Sequence, residues 1–304
     1  MVQSAAVSDF EKDYRLVRLP CGFYSVHSDR YGETNHPFVG PEAEATALYV
    51  DQVRLPGRLK PGTPMVIWDI GLGAGANILS AFRVLSGSAG HVVAVSFDQS
   101  LAPLRLTHQN PGHMAGLAHF AGAVGHVLET GYHRWQQGRL LIEWHVLETD
   151  FPDFLAGPHP AHLPRPEVIF YDAYSPGKNP EMWMGSNFAH LFNRLEGREA
   201  ILVTYSRSTM VRVGLLLAGF FVGSGQGTGM KEETTLAATR LSDLERPLDH
   251  AWLLRASRST AAEPLENRAY QRRPLRPETL ARLRAHPQFV GGTEGGTLTA
   301  DFAD

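Results

Sequence analysis

The chain alternates between short, continuously apolar runs and segments whose apolar residues recur at helical spacing. The apolar runs lie at 65–70, 91–97, 139–147, 168–171, 199–206, 220–225 and 234–240. Helical patterns lie at 41–53, 76–85, 188–195 and 208–219, and the glycine-containing region from about 100 to 137 is also predicted to be helical. Apolar strands that alternate with helices are typical of a mostly parallel sheet covered on both faces. We therefore predict a doubly wound α/β fold of seven strands, whose last two strands form an antiparallel pair.

The chain shows no internal repeat and no low-complexity linker. We predict an N-terminal extension at 1–40, a principal α/β domain at 41–245 and a C-terminal appendage at 246–304. The appendage is rich in arginine and has few apolar residues to form a core of its own. Within it, residues 272–286 have the pattern of a short capped helix.

Composition limits the classes of function. With 304 residues, of which 43% are apolar, the chain can bury a large core. A net charge of −3 provides no general attraction for nucleic acid, so such a contact needs a local basic patch. The single cysteine, Cys21, excludes an internal disulfide and a cysteine zinc cluster, and we expect no metal. The N-terminal segment does not resemble a signal peptide, and the longest apolar run, 213–223, is shorter than the roughly 20 residues that span a bilayer. We expect a cytoplasmic protein that does not bind membranes.

The turn after the first apolar run has the features of a nucleotide-cofactor site. Its residues of interest are Asp69, Gly71, Gly73, Gly75 and Asn77. Alternating glycines let the backbone approach a ligand closely at the carboxyl end of a parallel strand. Gly71, Gly73 and Ala76 also fit the dinucleotide pattern, with Asp98 at the spacing of a ribose-binding acid. Asp69 before the first glycine, and the position of the motif well inside the chain, favour S-adenosylmethionine (SAM). Asp98 suits either cofactor, or it caps the next helix.

A carboxylate directly follows the buried strand at 168–171, at the start of a stiff loop. Asp172 follows the strand directly, and the loop contains Pro176, Lys178 and Asn179. A carboxylate at this edge of the sheet can hydrogen-bond an amine and accept its proton. Tyr174 is placed either to stack on a flipped base or to pack within the loop. Lys178 contacts a phosphate or is solvated.

The stretch "DAYSPGKNPEMW" at 172–183 resembles the signature of the MnmC-like methyltransferase family. This family comprises the methyltransferase half of a bifunctional tRNA-modifying enzyme and its relatives. Three further stretches are similar to family segments and occur in the family's order: "GETNHPFVG" (32–40), "GLGAGAN" (71–77) and "AGFFVGSGQGTGMKEE" (218–233). The resemblance covers roughly residues 20–240. Its "KNPEMW" run is specific, whereas the glycine turn is shared with other nucleotide-binding folds.

The resemblance implies a class I SAM-dependent methyltransferase with a Rossmann-like fold. The implied reaction methylates the amine of a 5-aminomethyl-uridine at the wobble position of tRNA, giving 5-methylaminomethyl-uridine. Asp172 is the expected catalytic residue. The expected SAM-binding residues are Asp69, Gly71, Gly73, Gly75, Asn77, Asp98 and Glu148. The expected substrate-binding residues are Tyr174, Pro176, Lys178 and Asn179.

Two features depart from the family pattern or leave a choice open. The adenine-side acid is not distinct, because "VLETDF" offers both Glu148 and Asp150, and we choose Glu148. The chain is also too short to hold the flavin domain of the bifunctional proteins, so it resembles a stand-alone form. Another enzyme then has to supply the amine.

The appendage bears on the identity of the acceptor. Between 255 and 284, arginines outnumber acids, and this local excess either follows tRNA phosphates or pairs with neighbouring acids. A methyltransferase acting on a small-molecule amine is the alternative with the same fold and cofactor. A dinucleotide-dependent oxidoreductase and a non-catalytic SAM- or RNA-binding module are the alternatives from other classes.

Overall fold

A computed structural model describes residues 13–36, 40–113, 118–227 and 233–290 of the chain. Its strands are β1 (Tyr14–Arg18), β2 (Tyr24–Ser28), β3 (Glu33–Thr34), β4 (Met65–Ile70), β5 (Gly90–Asp98), β6 (Tyr132–Gln137), β7 (Leu140–Glu148), β8 (Val168–Tyr171), β9 (Ile201–Thr204), β10 (Phe221–Gly225) and β11 (Thr234–Ala238). Its α-helices are α1 (Pro41–Ala45), α2 (Ala76–Leu85), α3 (Ala102–His108), α4 (Ala121–Thr130), α5 (Phe151–Ala156), α6 (Gly185–Arg194), α7 (Thr209–Ala218), α8 (His250–Ser257), α9 (Pro277–Arg284) and α10 (Pro287–Val290). Parts of two family-like segments, 37–39 and 228–232, lie outside the described residues.

The large sheet confirms the predicted doubly wound α/β fold. Its strand order is β10-β11-β9-β8-β4-β5-β7-β6, and the five strands from β9 to β7 run parallel. The chain moves from β4 outward through β5 to β7, then returns to place β8 on the other side of β4. The winding direction therefore reverses between β4 and β8, which is where open α/β sheets form a ligand crevice. Both strands end at this point, β4 in the glycine turn and β8 in Asp172.

The sheet has eight strands instead of the predicted seven. The prediction of helix throughout 100–137 is wrong at the end of that region. Within that region α3 and α4 are helical, but Tyr132–Gln137 forms β6 and pairs antiparallel with β7. The sequence of β6, YHRWQQ, is polar because an edge strand buries only alternate side chains. The main apolar contact of β6 is made by Trp135, whose ring centroid lies 5.5 Å from that of Phe82.

Two apolar cores lie on opposite faces of the sheet, as alternating side chains along each strand require. Met65 and Ile67 of β4 join one core, which includes Phe82 and Trp144. Val66 and Trp68, which alternate with them along the strand, join the other core, which contains Phe97, Phe151 and Trp183 among others. Burial on both faces explains why the central strands read as continuous apolar runs.

The N-terminal extension folds onto the edge of the crevice. Strands β1, β2 and β3 form a small antiparallel sheet. The Glu33 carboxylate of β3 accepts hydrogen bonds from the Ser175 backbone N–H, at 3.1 Å, and from the Ser175 hydroxyl. After α1, residues 46–51 continue the predicted helix in wider π-type turns. Residues of the small sheet and of this helix line the crevice.

The described part of the appendage shares the second core. Trp252, Leu253, Leu265, Leu283 and Phe289 are buried against the helices on that face. The predicted helix in 272–286 is α9. The backbone N–H of Gly185, at the start of α6, donates to the Leu265 carbonyl at 2.9 Å. The appendage is therefore attached next to the end of the 172–183 loop. No helix in the described ranges is long and apolar enough to cross a bilayer.

Replacing Leu283 with alanine tests how firmly the appendage is attached. Leu283 is fully buried, so the substitution should lower the free energy of unfolding by about 2–5 kcal/mol. Leu254→Ala, on the exposed side of α8, is the matched control and should change it by less than about 0.5 kcal/mol. Urea titration followed by tryptophan fluorescence measures both. Equal, small effects would show that the appendage does not contribute to the core in solution.

Candidate active site

A cleft with a cavity of about 470 Å³ opens at the carboxyl ends of β4, β5 and β8. The segments that line it include the glycine turn, the end of β5, the loop that begins at Asp172, the segment following β3, helix α1 and the segment 149–151 that leads into α5. The cleft lies at the reversal point of the sheet. Its size falls within the range of small-molecule and cofactor sites.

Gly71 allows the two central loops to touch. Its φ is 86°, and a Cβ at this position would lie 2.4 Å from the Asp172 carbonyl oxygen. Any side chain would therefore separate the glycine turn from the β8 loop. The backbone N–H groups of Gly71 and Leu72 both donate to the Phe97 carbonyl of β5, at 2.9 and 3.1 Å. These hydrogen bonds hold the glycine turn against β5.

Asp98 lies in the cleft at the end of β5 and closes the glycine turn. Its Oδ2 accepts the Gly73 backbone N–H at 2.8 Å, and its Oδ1 accepts that of Ser100 at 3.2 Å. Burial raises the pKa of Asp98 to about 6, although these N–H donors act to lower it. Each carboxylate oxygen has a second lone pair, so Asp98 can also accept hydrogen bonds from the hydroxyl groups of a ribose.

Asp69 is placed differently from the prediction, because it does not line the cleft. It is fully buried, and its Oδ2 accepts a hydrogen bond from the Ser96 hydroxyl at 2.9 Å. Trp144 Nε1 donates to the same hydroxyl at 3.0 Å. Burial, together with the charges of Asp172 and Asp98, raises the pKa of Asp69 to about 7. Asp69 therefore supports the strand ends beneath the glycine turn.

Asp172 faces the cleft, where its carboxylate has several polar neighbours. Asn77 Nδ2, in the first turn of α2, donates to Asp172 Oδ2 at 2.7 Å. Burial and the Asp172 charge raise the pKa of both Tyr49 and Tyr205 well above its ordinary value. Both tyrosines thus stay protonated close to the carboxylate. The structure brings together the two predicted residues, Asn77 and Asp172, from different motifs.

His36 and Glu44 belong to this site but were not predicted. His36 Nε2 lies 3.7 Å from Asp172 Oδ2, and His36 Nδ1 lies 3.8 Å from Glu44 Oε2. Glu33, which binds Ser175, was also missed. The available signal was the "GETNHPFVG" segment, which contains Glu33 and His36. Glu44 lies in the first turn of α1, where an acid is ordinary and attracts no notice.

The predicted substrate-side residues are divided between the cleft and its outside. Tyr174 and Asn179 line the cleft, and Asn179 is buried. One face of the Tyr174 ring stacks on Tyr31, with centroids 4.2 Å apart and planes 22° apart. Pro176 and Lys178 are not among the lining residues, and Lys178 is exposed.

The choice of Glu148 as the adenine-side acid does not match the geometry of the cleft. The Glu148 carboxylate accepts the backbone N–H of Leu101 at 3.1 Å, near the start of α3, and it is not a lining residue. Asp150 lines the cleft and caps α5 through the Asp153 backbone N–H at 3.0 Å. The two acids were indistinguishable in sequence because the strand end could not be placed to within two residues.

Comparisons with known proteins agree with this site. A family model described as S-adenosyl-L-methionine-dependent methyltransferase matches residues 153–240, which include the loop at 172–183. The bifunctional tRNA 5-methylaminomethyl-2-thiouridine biosynthesis protein MnmC of Ralstonia nicotianae is 30% identical over 237 residues, covering 73% of this chain and 35% of that protein. The chain is similar to the MnmC-like methyltransferases over about three quarters of its length. The MnmC of Stutzerimonas stutzeri is 28% identical over 247 residues, covering 76% of this chain and 36% of that protein.

The methyltransferase also has the fold of a solved structure. MnmC2 from Aquifex aeolicus superposes with a TM-score of 0.65 at 21% identity, over 90% of this chain and 83% of that one. This likeness supports the fold. The chain spans about a third of the length of the bifunctional relatives that it matches.

The residues of the cleft suit SAM, the cofactor of this family. Two amide oxygens that line it, Asn77 Oδ1 and Asn179 Oδ1, are buried without a hydrogen-bond partner, so both can accept from a ligand. The lining also includes several carboxylates, which suit a cationic sulfonium: Glu33, Glu44, Asp98, Asp150, Asp172 and Glu181. These groups fit the cofactor, and the family match decides between a dinucleotide and SAM in favour of SAM.

The raised pKa of Asp69 predicts how stability depends on pH. Because the folded-state pKa of about 7 exceeds the ordinary 3.8, the associated stability is fully present below about pH 4 and is lost as pH rises through 7. Between pH 5 and pH 8, ionisation of Asp69 should lower the free energy of unfolding of the wild type by a value on the order of 3 kcal/mol. Asp69→Asn should not show this loss. Urea titrations at both pH values measure it, with the exposed Asp51→Asn as control. A variant that loses as much stability as the wild type would contradict this assignment.

Proposed function

We propose that this methyltransferase transfers a methyl group to the exocyclic amine of a 5-aminomethyl-uridine at the tRNA wobble position. The product is 5-methylaminomethyl-uridine, and the compartment is the cytoplasm. The position of Asp172 carries the proposal, because its carboxylate faces the cleft, held by Asn77 beside the glycine turn. The names of the relatives, which refer to tRNA 5-methylaminomethyl-2-thiouridine biosynthesis, support it.

Asp172 prepares the acceptor for reaction. An alkyl amine is protonated at neutral pH, and its nitrogen cannot attack until that proton is removed. The Asp172 carboxylate hydrogen-bonds the amine, orients its lone pair and accepts the proton. Asn77 keeps the carboxylate in place by donating to Oδ2, so that little rearrangement is needed when the acceptor arrives.

The glycine turn and the acids around it hold the methyl donor. SAM supplies an electrophilic methyl group on a cationic sulfur. Asp98 is positioned for the ribose, Asp150 for the adenine side, and Asn77 Oδ1 for a polar group of the cofactor. Gly71 lets the glycine turn contact the loop after β8, and Asp69 supports the turn from below.

The acid-rich lining favours a cationic acceptor, which both tRNA-borne and small-molecule amines satisfy. The appendage favours tRNA. Residues 266–274 form an exposed surface that includes Arg268, Arg272 and Arg273. We call this stretch the arginine loop. It follows Leu265, which bridges to Met184, only two residues beyond the cleft residue Met182.

The arginine loop thus begins at the rim of the cleft. Three guanidinium groups there can contact phosphates of the nucleotides that flank a base inserted into the site. Tyr270, 43% exposed in the same loop, adds an aromatic surface for stacking. In this proposal, the appendage at 246–304 is the RNA-facing part of the methyltransferase, and the small-molecule acceptor is the second candidate.

Asp172→Asn tests the catalytic role. The amide cannot accept the amine proton, so methyl transfer from labelled SAM to tRNA bearing 5-aminomethyl-uridine should fall by about 10²–10⁴-fold. SAM affinity, measured by calorimetry, should change less than threefold by our estimate, since Asn77 can still hold the side chain. The exposed Asp153→Asn is the matched control and should retain full activity. Mass spectrometry of the digested tRNA identifies the product nucleoside.

Two outcomes would reject these assignments separately. Wild-type protein that binds SAM but does not label this tRNA would reject tRNA as the acceptor. A fully active Asp172→Asn variant would reject the role of the carboxylate while leaving the acceptor intact.

Replacing Arg268, Arg272 and Arg273 together with glutamine tests the arginine loop. Loss of three phosphate contacts should weaken tRNA binding and reduce the slope of log K against log salt by about 2. The kcat for bound substrate should change little, because these residues lie outside the cleft. Arg240→Gln, whose guanidinium pairs with Glu199 and Asp243, is the control. Unchanged tRNA retention in gel-shift assays over a salt series would favour the small-molecule amine.

A further inference from the structure

His36 lies between two shielded carboxylates. Its Nε2 is 3.7 Å from Asp172 Oδ2 and its Nδ1 is 3.8 Å from Glu44 Oε2. The three side chains are only 10%, 17% and 8% exposed, for His36, Asp172 and Glu44 respectively. They come from three separate parts of the chain, namely the segment after β3, the loop after β8 and helix α1.

The backbone of His36 is held in an uncommon conformation. Its φ is 44°, in the left-handed region, where a residue other than glycine costs on the order of 1 kcal/mol. Neighbouring hydrogen bonds maintain it: Asn35 N–H donates to the Val26 carbonyl at 3.0 Å, and the Ser25 hydroxyl donates to the Asn35 carbonyl. The small N-terminal sheet therefore fixes where the imidazole lies. Such conformations persist where surrounding structure imposes them, and they are common at functional sites.

The proposed reaction releases one proton for each amine that enters as an ammonium ion. Asp172 takes this proton from the nitrogen. The nitrogen lone pair then forms the new N–C bond while the methyl C–S bond breaks, and the C–S electron pair remains on sulfur. The methylated product is again an ammonium ion, so the proton taken first is left on Asp172. It must leave before the next turnover, and the bound acceptor and cofactor occupy the cleft that Asp172 faces.

We propose that His36 and Glu44 form a proton relay that clears Asp172 after each turnover. The proposal rests on the proposed function, since it requires an ammonium acceptor. The Asp172 proton passes to Nε2 of His36 while the proton on Nδ1 passes to Glu44, and exchange of the remaining ring proton with water in the open cleft restores the starting tautomer. Glu44 lines the cleft and returns the proton to solvent when the cleft opens to release product. His36 is therefore a positioning residue that acts through Asp172.

The charged and titratable groups around the relay are consistent with this direction of transfer. Glu44 from α1 and Asp172 from the β8 loop face the two ring nitrogens. Tyr49 and Tyr205 lie near Asp172 and keep their protons, because burial and the carboxylate charge raise their pKa values. The distances of 3.7 and 3.8 Å exceed those of hydrogen bonds. Catalytic hydrogen bonds are commonly long outside the substrate complex and shorten within it.

His36→Gln gives the first test, because glutamine retains hydrogen-bonding capacity but cannot carry the proton. We expect kcat to fall at least tenfold at pH 7, with SAM affinity changed less than threefold by calorimetry. The deficit should shrink as pH approaches the range in which the amine is neutral in solution, since no proton then needs to be removed. His91→Gln, which removes a histidine contact to Glu143 away from the cleft, is the control and should keep wild-type kinetics. A deficit that is equal at every pH would indicate a structural role and overturn the relay.

His36→Gly provides an independent test by chemical rescue. Glycine accepts a φ of 44° without strain, and its lack of a side chain leaves space for free imidazole. Added imidazole should restore activity in a concentration-dependent manner, whereas it should leave the His91→Gln control unaffected. Loss of activity without any rescue, in a variant that still binds SAM, would contradict proton transfer through this position.

A measurement that does not depend on catalysis tests the relay independently of the identity of the acceptor. In protein labelled with ¹³C-histidine and saturated with S-adenosylhomocysteine, Asp172→Asn and Glu44→Gln should each shift the His36 ring resonance at neutral pH. The His91 resonance should not move. If wild type fails to methylate tRNA but these shifts occur, the acceptor is wrong and the His36 contacts stand. If neither substitution shifts the His36 resonance, the relay is overturned whatever the acceptor is.

Discussion

The close contact between Gly71 and the Asp172 carbonyl is the constraint on which the site depends. It joins the turn after β4 to the loop after β8, at the point where the sheet reverses its winding. A Cβ on Gly71 would lie 2.4 Å from that oxygen, so the contact exists only with glycine. Because the two loops touch, the side chains that follow them, Asn77 and Asp172, reach hydrogen-bond distance. In the proposed function, this junction holds the methyl donor next to the base that acts on the acceptor.

A second constraint is the concentration of carboxylates around this junction. Asp69 lies beneath it, Asp98 closes the glycine turn, and Asp172 faces the cleft. Burial raises the pKa of Asp69 to about 7 and that of Asp98 to about 6, and in Asp69 the charges of the other two contribute. The fold tolerates this repulsion through specific donors, the Ser96 hydroxyl for Asp69 and the Gly73 N–H for Asp98. Part of the stability of the folded chain is given up to build a site for cations.

Much of the fold could be predicted from sequence, because strands buried on both faces appear as continuous apolar runs. Strand β6 could not, since an edge strand buries alternate side chains and its YHRWQQ sequence gives no such run. In the site, Gly71 and Asp172 could be found from local motifs at strand ends. His36 could not, because its contact with Asp172 depends on how the N-terminal sheet folds back over the crevice. Glu148 was chosen over Asp150 because sequence does not fix a strand end to within two residues.

The two halves of the cleft therefore differ in origin. The cofactor half is built by strand ends and turns of the large sheet, whose positions follow from backbone pairing. The acceptor half adds Glu33 and His36 from the small sheet and Glu44 from α1, which approach through side-chain contacts. When a methyl group leaves a sulfonium, the donor loses the positive charge to which the carboxylates of the cleft are attracted. The electrostatic attraction that favours the donor is then absent for the spent cofactor, so the same acids that recruit cationic ligands also favour turnover.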